Sequence, residues 1–197
     1  MLSPIRLTKR LYVNRLTKAE PASGLFALAL AGLVAVGGCN GSDDAQDQAA
    51  LTKSRASWNS ARDAAHGDYI YEVLRTTFIG GSSTTRISVA GNRVTKREYQ
   101  AAIGGGPGIE NPVATDWVET GIEVGTHLDG EPPVTIDALY DRCRDDVLPR
   151  DRASNDITLV FRADGILDTC VYTPRGCQDD CASGVWVSTL EFATAAP

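Results

Sequence analysis

Two histidines and three adjacent acid pairs are the side chains of this 197-residue chain best suited to moving a proton. They are His66, His127, Asp43 with Asp44, Asp145 with Asp146, and Asp179 with Asp180. Ser-His-Asp catalysis needs a histidine set beside a nucleophile. His66 precedes Gly67 at what reads as a helix end, where a cation is simply favoured by the helix dipole. His127 reads as a loop residue ahead of Asp129 and Gly130. Neither has a sequence-near nucleophile in an elbow motif, so no catalytic residue is assigned. Paired carboxylates could hydrolyse a glycan, but adjacent acids in an acidic chain read as solvated. Asp179 and Asp180 stand out because Cys177 and Cys181 bracket them, and a crosslink would hold them rigid. They lack the Asp-x-Asp-x-Asp-Gly spacing of a formed calcium loop, so no metal ligand and no cofactor is assigned. The run Gly104-Gly105-Gly106-Pro107-Gly108 is not read as a phosphate cradle, because no Lys-Ser or Lys-Thr follows it.

The thiols are more informative. Cys39 ends the apolar run from Leu25 to Gly38; Arg6, Lys9, Arg10, Arg15 and Lys18 precede that run, and a polar, acidic stretch follows it. The run is too short for the ~20 residues of a spanning helix and fits the apolar region of an export signal. Val36-Gly37-Gly38-Cys39 resembles the lipobox of a bacterial lipoprotein signal peptide. That resemblance implies cleavage after residue 38 and acylation of Cys39, with the lipid bilayer as partner. Ordinary secretion would also place small residues there but has no use for the cysteine. Two or more acyl chains give stable anchoring where one does not. Residue 40 is Asn rather than Asp, so the expected address is the cell envelope, outer membrane ahead of inner.

Cleavage would remove five basic residues and one acid, leaving 159 residues with 14 basic and 24 acidic side chains and a formal charge of −10. Such a surface repels nucleic acid, so none is expected as a partner. The four remaining cysteines, Cys143, Cys170, Cys177 and Cys181, form an even set in an exported domain, which favours disulfides. Three pairings are open. The expected one joins Cys177 to Cys181 within one loop, and Cys143 on a helix face to Cys170 in a strand. A zinc site is the rival, since Cys177-x3-Cys181 has tolerable ligand spacing.

These residues need elements to position them. Residues 40–52 read as a polar tether. Residues 53–65 suit a helix, with Trp58, Ala61 and Ala65 on one stripe. Residues 69–78 read as a strand, and residues 85–89 and 93–99 as a hairpin across Ala90-Gly91-Asn92. Residues 101–115 cannot hold regular structure for long; residues 116–128 read as a loop with a short helical turn. Thr135 caps a helix to about Leu148, with Ile136, Leu139, Tyr140, Cys143 and Val147 on one face and Pro149 at its end. Strands follow at 156–161, 166–172 and 184–192, leaving 193–197 as a disordered tail. Helix, three strands, helix, three strands favours one α+β domain over 53–192: an antiparallel sheet with two main helices on one face. Trp58 and the Ile136, Leu139, Tyr140 face should meet Ile87, Val89, Leu159 and Phe161.

With these elements placed, the chain resembles a family of bacterial lipoproteins of unassigned activity. The shared pattern is an early Trp helix (Trp58), a Tyr-x-Tyr strand (Tyr69-Ile70-Tyr71), a Val-rich hairpin (Arg86-Ile87-Ser88-Val89), the helix Thr135-Ile136-Asp137-Ala138-Leu139-Tyr140, and a strand pair turned at Asp164-Gly165. The resemblance implies a fold and no activity. The expected function is therefore a membrane-tethered envelope protein that binds another envelope protein or organises the envelope without catalysis. The alternatives are an envelope hydrolase with a site assembled from distant residues, and a small protease-inhibitor-like domain.

Overall fold

The computed structural model describes residues 41–77, 81–103 and 113–193. The segment read as an export signal, with Cys39, the run Gly104 to Gly108, Asn111-Pro112 and the last four residues lie outside the described residues.

Helix α1 spans Gly41–Ala64. Its first turn carries Asp43 and Asp44 and its last turn Arg62, both matched to the helix dipole. Leu51, Ser54 and Trp58 fall at spacings of three and four, and all three are buried, with Ala61 partly so. The tether expected at residues 40–52 is thus corrected from residue 41 onward. The composition there is polar and residues 43–46 are exposed, but Leu51 is buried in the core. Arg152 clamps the same turns, with Nε 2.5 Å from Asp44 Oδ1 and Nη2 2.5 Å from Asp47 Oδ2.

Strands β1 (Tyr69–Thr76), β2 (Ser82–Ala90), β3 (Arg93–Ile103) and β4 (Val113–Thr120) form an antiparallel meander, and β8 (Thr189–Phe192) returns beside β1. The order is β4-β3-β2-β1-β8. β5 (Asn155–Phe161), β6 (Leu167–Pro174) and β7 (Ser183–Trp186) form a second antiparallel sheet. The α+β class is as expected, but the single sheet is two. The last expected strand is divided at Val187 and Ser188, where the chain leaves one sheet for the other.

β4 corrects the loop expected at 116–128: a 3-10 turn follows only at Gly121–Glu123. Its inward positions include Trp117 and Glu119, opposite Tyr99 and Arg97 of β3. Charges on an inward face hide the apolar alternation that marks a strand. The β2–β3 hairpin turns as expected: Gly91 and Asn92 have φ of 55° and 62°, the two left-handed positions a tight hairpin turn requires. Asn92 N–H then donates to Gly67 O, and Gly91 N–H to Asp68 Oδ1, tying the turn to the end of α1.

Helix α2 covers Ile136–Arg142 and continues as a π turn over Cys143–Val147. Thr135 caps it, its hydroxyl accepting from Ala138 N–H. Two β1 tyrosines set where it begins: Tyr69 Oη accepts from Ile136 N–H at 3.1 Å, and Tyr71 Oη donates to Val134 O at 2.7 Å. Burial pushes the Tyr69 hydroxyl up to about 12. Tyr140 Oη lies 2.7 Å from Ser54 Oγ of α1 and accepts from Leu167 N–H of β6, joining three elements at one buried atom. Trp58 packs edge-on against Tyr69, and Ile87 and Val89 lie in the same buried cluster. Leu159 and Phe161 are only half-buried at its margin. The disulfides are Cys143–Cys170, which ties the π turn to β6, and Cys177–Cys181, which closes the loop after β6.

Candidate functional site

The registers of β1 and β7 create the main cleft. β8 pairs with β1 only as far as Glu72, while β2 pairs along its whole length. Ser188 N–H donates to Glu72 O, and Leu74 N–H to Ser188 Oγ, so the even-numbered residues of β1 direct their main-chain groups to the β8 side. Beyond Ser188 no described strand pairs with that side, so among the described residues Leu74 C=O and the N–H and C=O of Thr76 have no ladder partner. On the facing strand, Val187 N–H donates to Asp168 O of β6, so Gly184 and Trp186 of β7 direct their main-chain groups away from β6. Two open strand edges thus diverge from Ser188 like the arms of a fork.

Between them lies a cleft of about 660 Å³, lined by Leu74, Arg75, Thr76, Glu131, Arg142, Asp180, Gly184 and Trp186 among others. Arg75 crosses its floor. Its guanidinium carbon lies 3.3 Å from the centre of the Trp186 ring, and Nε is 2.6 Å from Glu131 Oε1. That charge is balanced and stacked. Arg142, in the last turn of α2, has no ion-pair partner among the described residues. The rim includes the crosslinked loop singled out in the sequence: Asp180 lines the cleft, with φ of 46°, while Asp179 is exposed beside it. The cleft offers recognition groups: a guanidinium, an indole, carboxylates and two rows of main-chain donors and acceptors.

A second constellation lies on the same sheet, under the loop 121–131. Arg97 and Glu119 face each other across β3 and β4, with 2 % and 0 % of their surface exposed. The pair is bidentate: Arg97 Nε to Glu119 Oε2 at 2.8 Å, and Nη2 to Oε1 at 2.9 Å. Glu119 also accepts from the amides of Gly125 and His127, from Thr126 Oγ1, and from His127 Nδ1 at 2.9 Å. Arg97 in turn donates to the carbonyls of His127 and Glu131. Arg97 holds the Glu119 carboxyl far below the usual carboxylate range, and the two amides reinforce it against the opposing effect of burial. His127 stacks on Trp117, which stacks on Tyr99. A carboxylate that orients an imidazole is the arrangement used in catalytic triads, but here the Glu119 oxygens also hold Arg97, two loop amides and the Thr126 hydroxyl. The pair was missed in the sequence because Arg97 and Glu119 are 22 residues apart.

The other sequence candidates stay apart. His66 is exposed at the end of α1 with φ of 55°, and Asp145 pairs with Arg144 on the surface. Asp44 serves the Arg152 clamp. Among the described residues, no three His, Cys, Asp or Glu side chains gather to hold a metal ion, and Cys177 and Cys181 are consumed by their disulfide. Comparison with protein-family models, with curated proteins and with solved structures found no match to this chain.

Proposed function

We propose that this chain is a cell-envelope lipoprotein, anchored through acylated Cys39, whose folded domain binds a partner protein without catalysis. The observation that carries this reading is the sequence Val36-Gly37-Gly38-Cys39, set behind a basic segment and a short apolar run. Two features of the domain support it. Its two disulfides suit an oxidising compartment. The cleft between β1 and β7 offers main-chain edges and a guanidinium, groups that recognise a ligand by hydrogen bonding. The polar bonding of the Glu119 cluster is spent on the loop it holds, which favours binding over hydrolysis. The anchor is assigned to the outer membrane in preference to the inner.

The test is fractionation and detergent partitioning of wild type and Cys39→Ala from a bacterial host. Wild type should enter the detergent phase. The variant should appear in the soluble fraction or persist as uncleaved precursor. Identical processing and partitioning of the two proteins would overturn the assignment.

A further inference from the structure

We propose that the fork between β1 and β7 receives an extended, carboxylate-bearing segment of a partner protein, which adds as a strand to β1 at residues 74–76 and sets its carboxylate on Arg142. This deepens the binding role proposed above and rests on it for the existence of a partner.

Three observations carry it. First, the walls are strand edges whose main-chain groups face the cleft: Leu74 and Thr76 on one side, Gly184 and Trp186 on the other. A row of alternating donors and acceptors is matched by an extended peptide, the usual ligand of an open edge. The incoming strand would take the place β8 vacates when it turns away at Ser188, in the same antiparallel sense. Second, the edge is recessed. A fully exposed edge invites indiscriminate pairing; one set between β7 and the 131–132 segment admits a single strand. Third, the charges select the ligand. Arg75 is already balanced by Glu131, whereas Arg142 has no ion-pair partner among the described residues. A guanidinium in that position is suited to a carboxylate. A second copy of the chain is disfavoured as occupant because two domains of formal charge −10 repel.

The experiment uses the membrane-extracted protein in detergent micelles and a displayed library of random linear seven-residue peptides. Enriched peptides should carry Asp or Glu and should protect the Thr76 amide from hydrogen exchange. Thr76→Pro removes that N–H from the open edge without touching the β2 ladder. Arg142→Gln removes the charge. Each should weaken the selected peptides about tenfold, the effect of losing one good hydrogen bond, with unchanged melting temperature as the folding control. Failure to enrich any peptide overturns the proposal, as does binding that neither variant weakens. Sedimentation that shows a dimer broken by Thr76→Pro would overturn it in favour of a second copy. Wild-type and Cys39→Ala proteins that partition identically yet both bind the peptides would sink the envelope assignment and leave the fork intact; a wild type that enters the detergent phase but binds no peptide would sink only the fork.

Discussion

The amides of Val187 and Ser188, one peptide apart, donate to different sheets: Val187 to Asp168 O in the three-stranded sheet, at 2.7 Å, and Ser188 to Glu72 O in the five-stranded sheet, at 2.8 Å. A single extended segment is thereby shared, and the geometry of the fork follows from that step. Val187 is fully buried and Ser188 exposed, so the two residues do separate jobs. Ser188→Ala should weaken only the Leu74 contact at the vertex, a loss of about 0.5–1.5 kcal/mol. Hydrogen exchange should show faster exchange at Leu74 with little change at Tyr69 to Glu72. Uniform acceleration along β1 would mean that Ser188 holds the whole edge.

The first turns of α1 belong to the folded unit. Leu51→Ala should cost about 2–5 kcal/mol, and Leu139→Ala a similar amount. Deleting residues 41–50 should also lower the melting temperature, through the loss of helix and of the Arg152 clamp. Arg152→Ala alone should cost about 1 kcal/mol or less, since Asp44 and Asp47 stay partly in water. Thermal unfolding of the four variants side by side decides the matter; a deletion as stable as wild type would restore a tether.

Tyr140 is the buried junction of α1, α2 and β6. Tyr140→Phe leaves both Ser54 Oγ and Leu167 N–H without their partner. A buried unsatisfied group costs about 1–3 kcal/mol. Adding Ser54→Ala to Tyr140→Phe should recover part of that loss. A double variant no better than the single one would show that Leu167 N–H carries the whole penalty.

Acid should act through Glu119. Its folded value is depressed, so its contribution is fully present above the unfolded value of about 4.3 and is lost as pH falls below it. Glu119→Gln should cost about 3 kcal/mol at neutral pH, as breaking a buried pair does, and the gap from wild type should narrow steadily below about pH 4. Melting temperatures of both proteins from pH 7 to pH 2.5 provide the measurement. A constant gap would assign the cost to packing instead.

The two disulfides should differ in weight. They close separations of 27 and 4 residues, and loop-closure entropy gives about 3–4 and about 2 kcal/mol respectively. Replacing Cys143 and Cys170 together should therefore destabilise more than replacing Cys177 and Cys181. Denaturant unfolding of the two double variants compares them directly, and the reverse ranking would discredit the entropic account.

Where chemistry was local, the sequence was readable. Thr135 announces its helix because a capping hydroxyl and an apolar stripe occur within one turn of each other. The Gly91 and Asn92 turn is legible because few other residues accept two left-handed positions in succession. The cysteine pairing follows from which face each thiol occupies. What could not be read depended on distant partners. Residues 41–50 look disordered until Arg152, about a hundred residues away, is brought against Asp44 and Asp47. β4 hides because Glu119 takes an inward position that only Arg97 makes tolerable. The division of the last strand has no local mark at all: Val187 and Ser188 are ordinary strand residues, and the choice of sheet is made by Asp168 and Glu72. The cleft, which arises from that division, was equally invisible.

The clamped start of α1 also sets a length scale. Gly41 is two residues from Cys39, so the chain between an acyl group on that sulfur and the first helical residue could extend no more than about 7 Å. A domain of this size has a radius of gyration of about 15 Å. Its binding surface would then sweep a layer only some tens of ångströms deep above the lipid. Encounters would be governed by lateral diffusion in the bilayer, and a partner would have to share that membrane or come down to meet it. Lengthening the segment between Cys39 and Gly41 would deepen the layer without altering a single contact inside the fold.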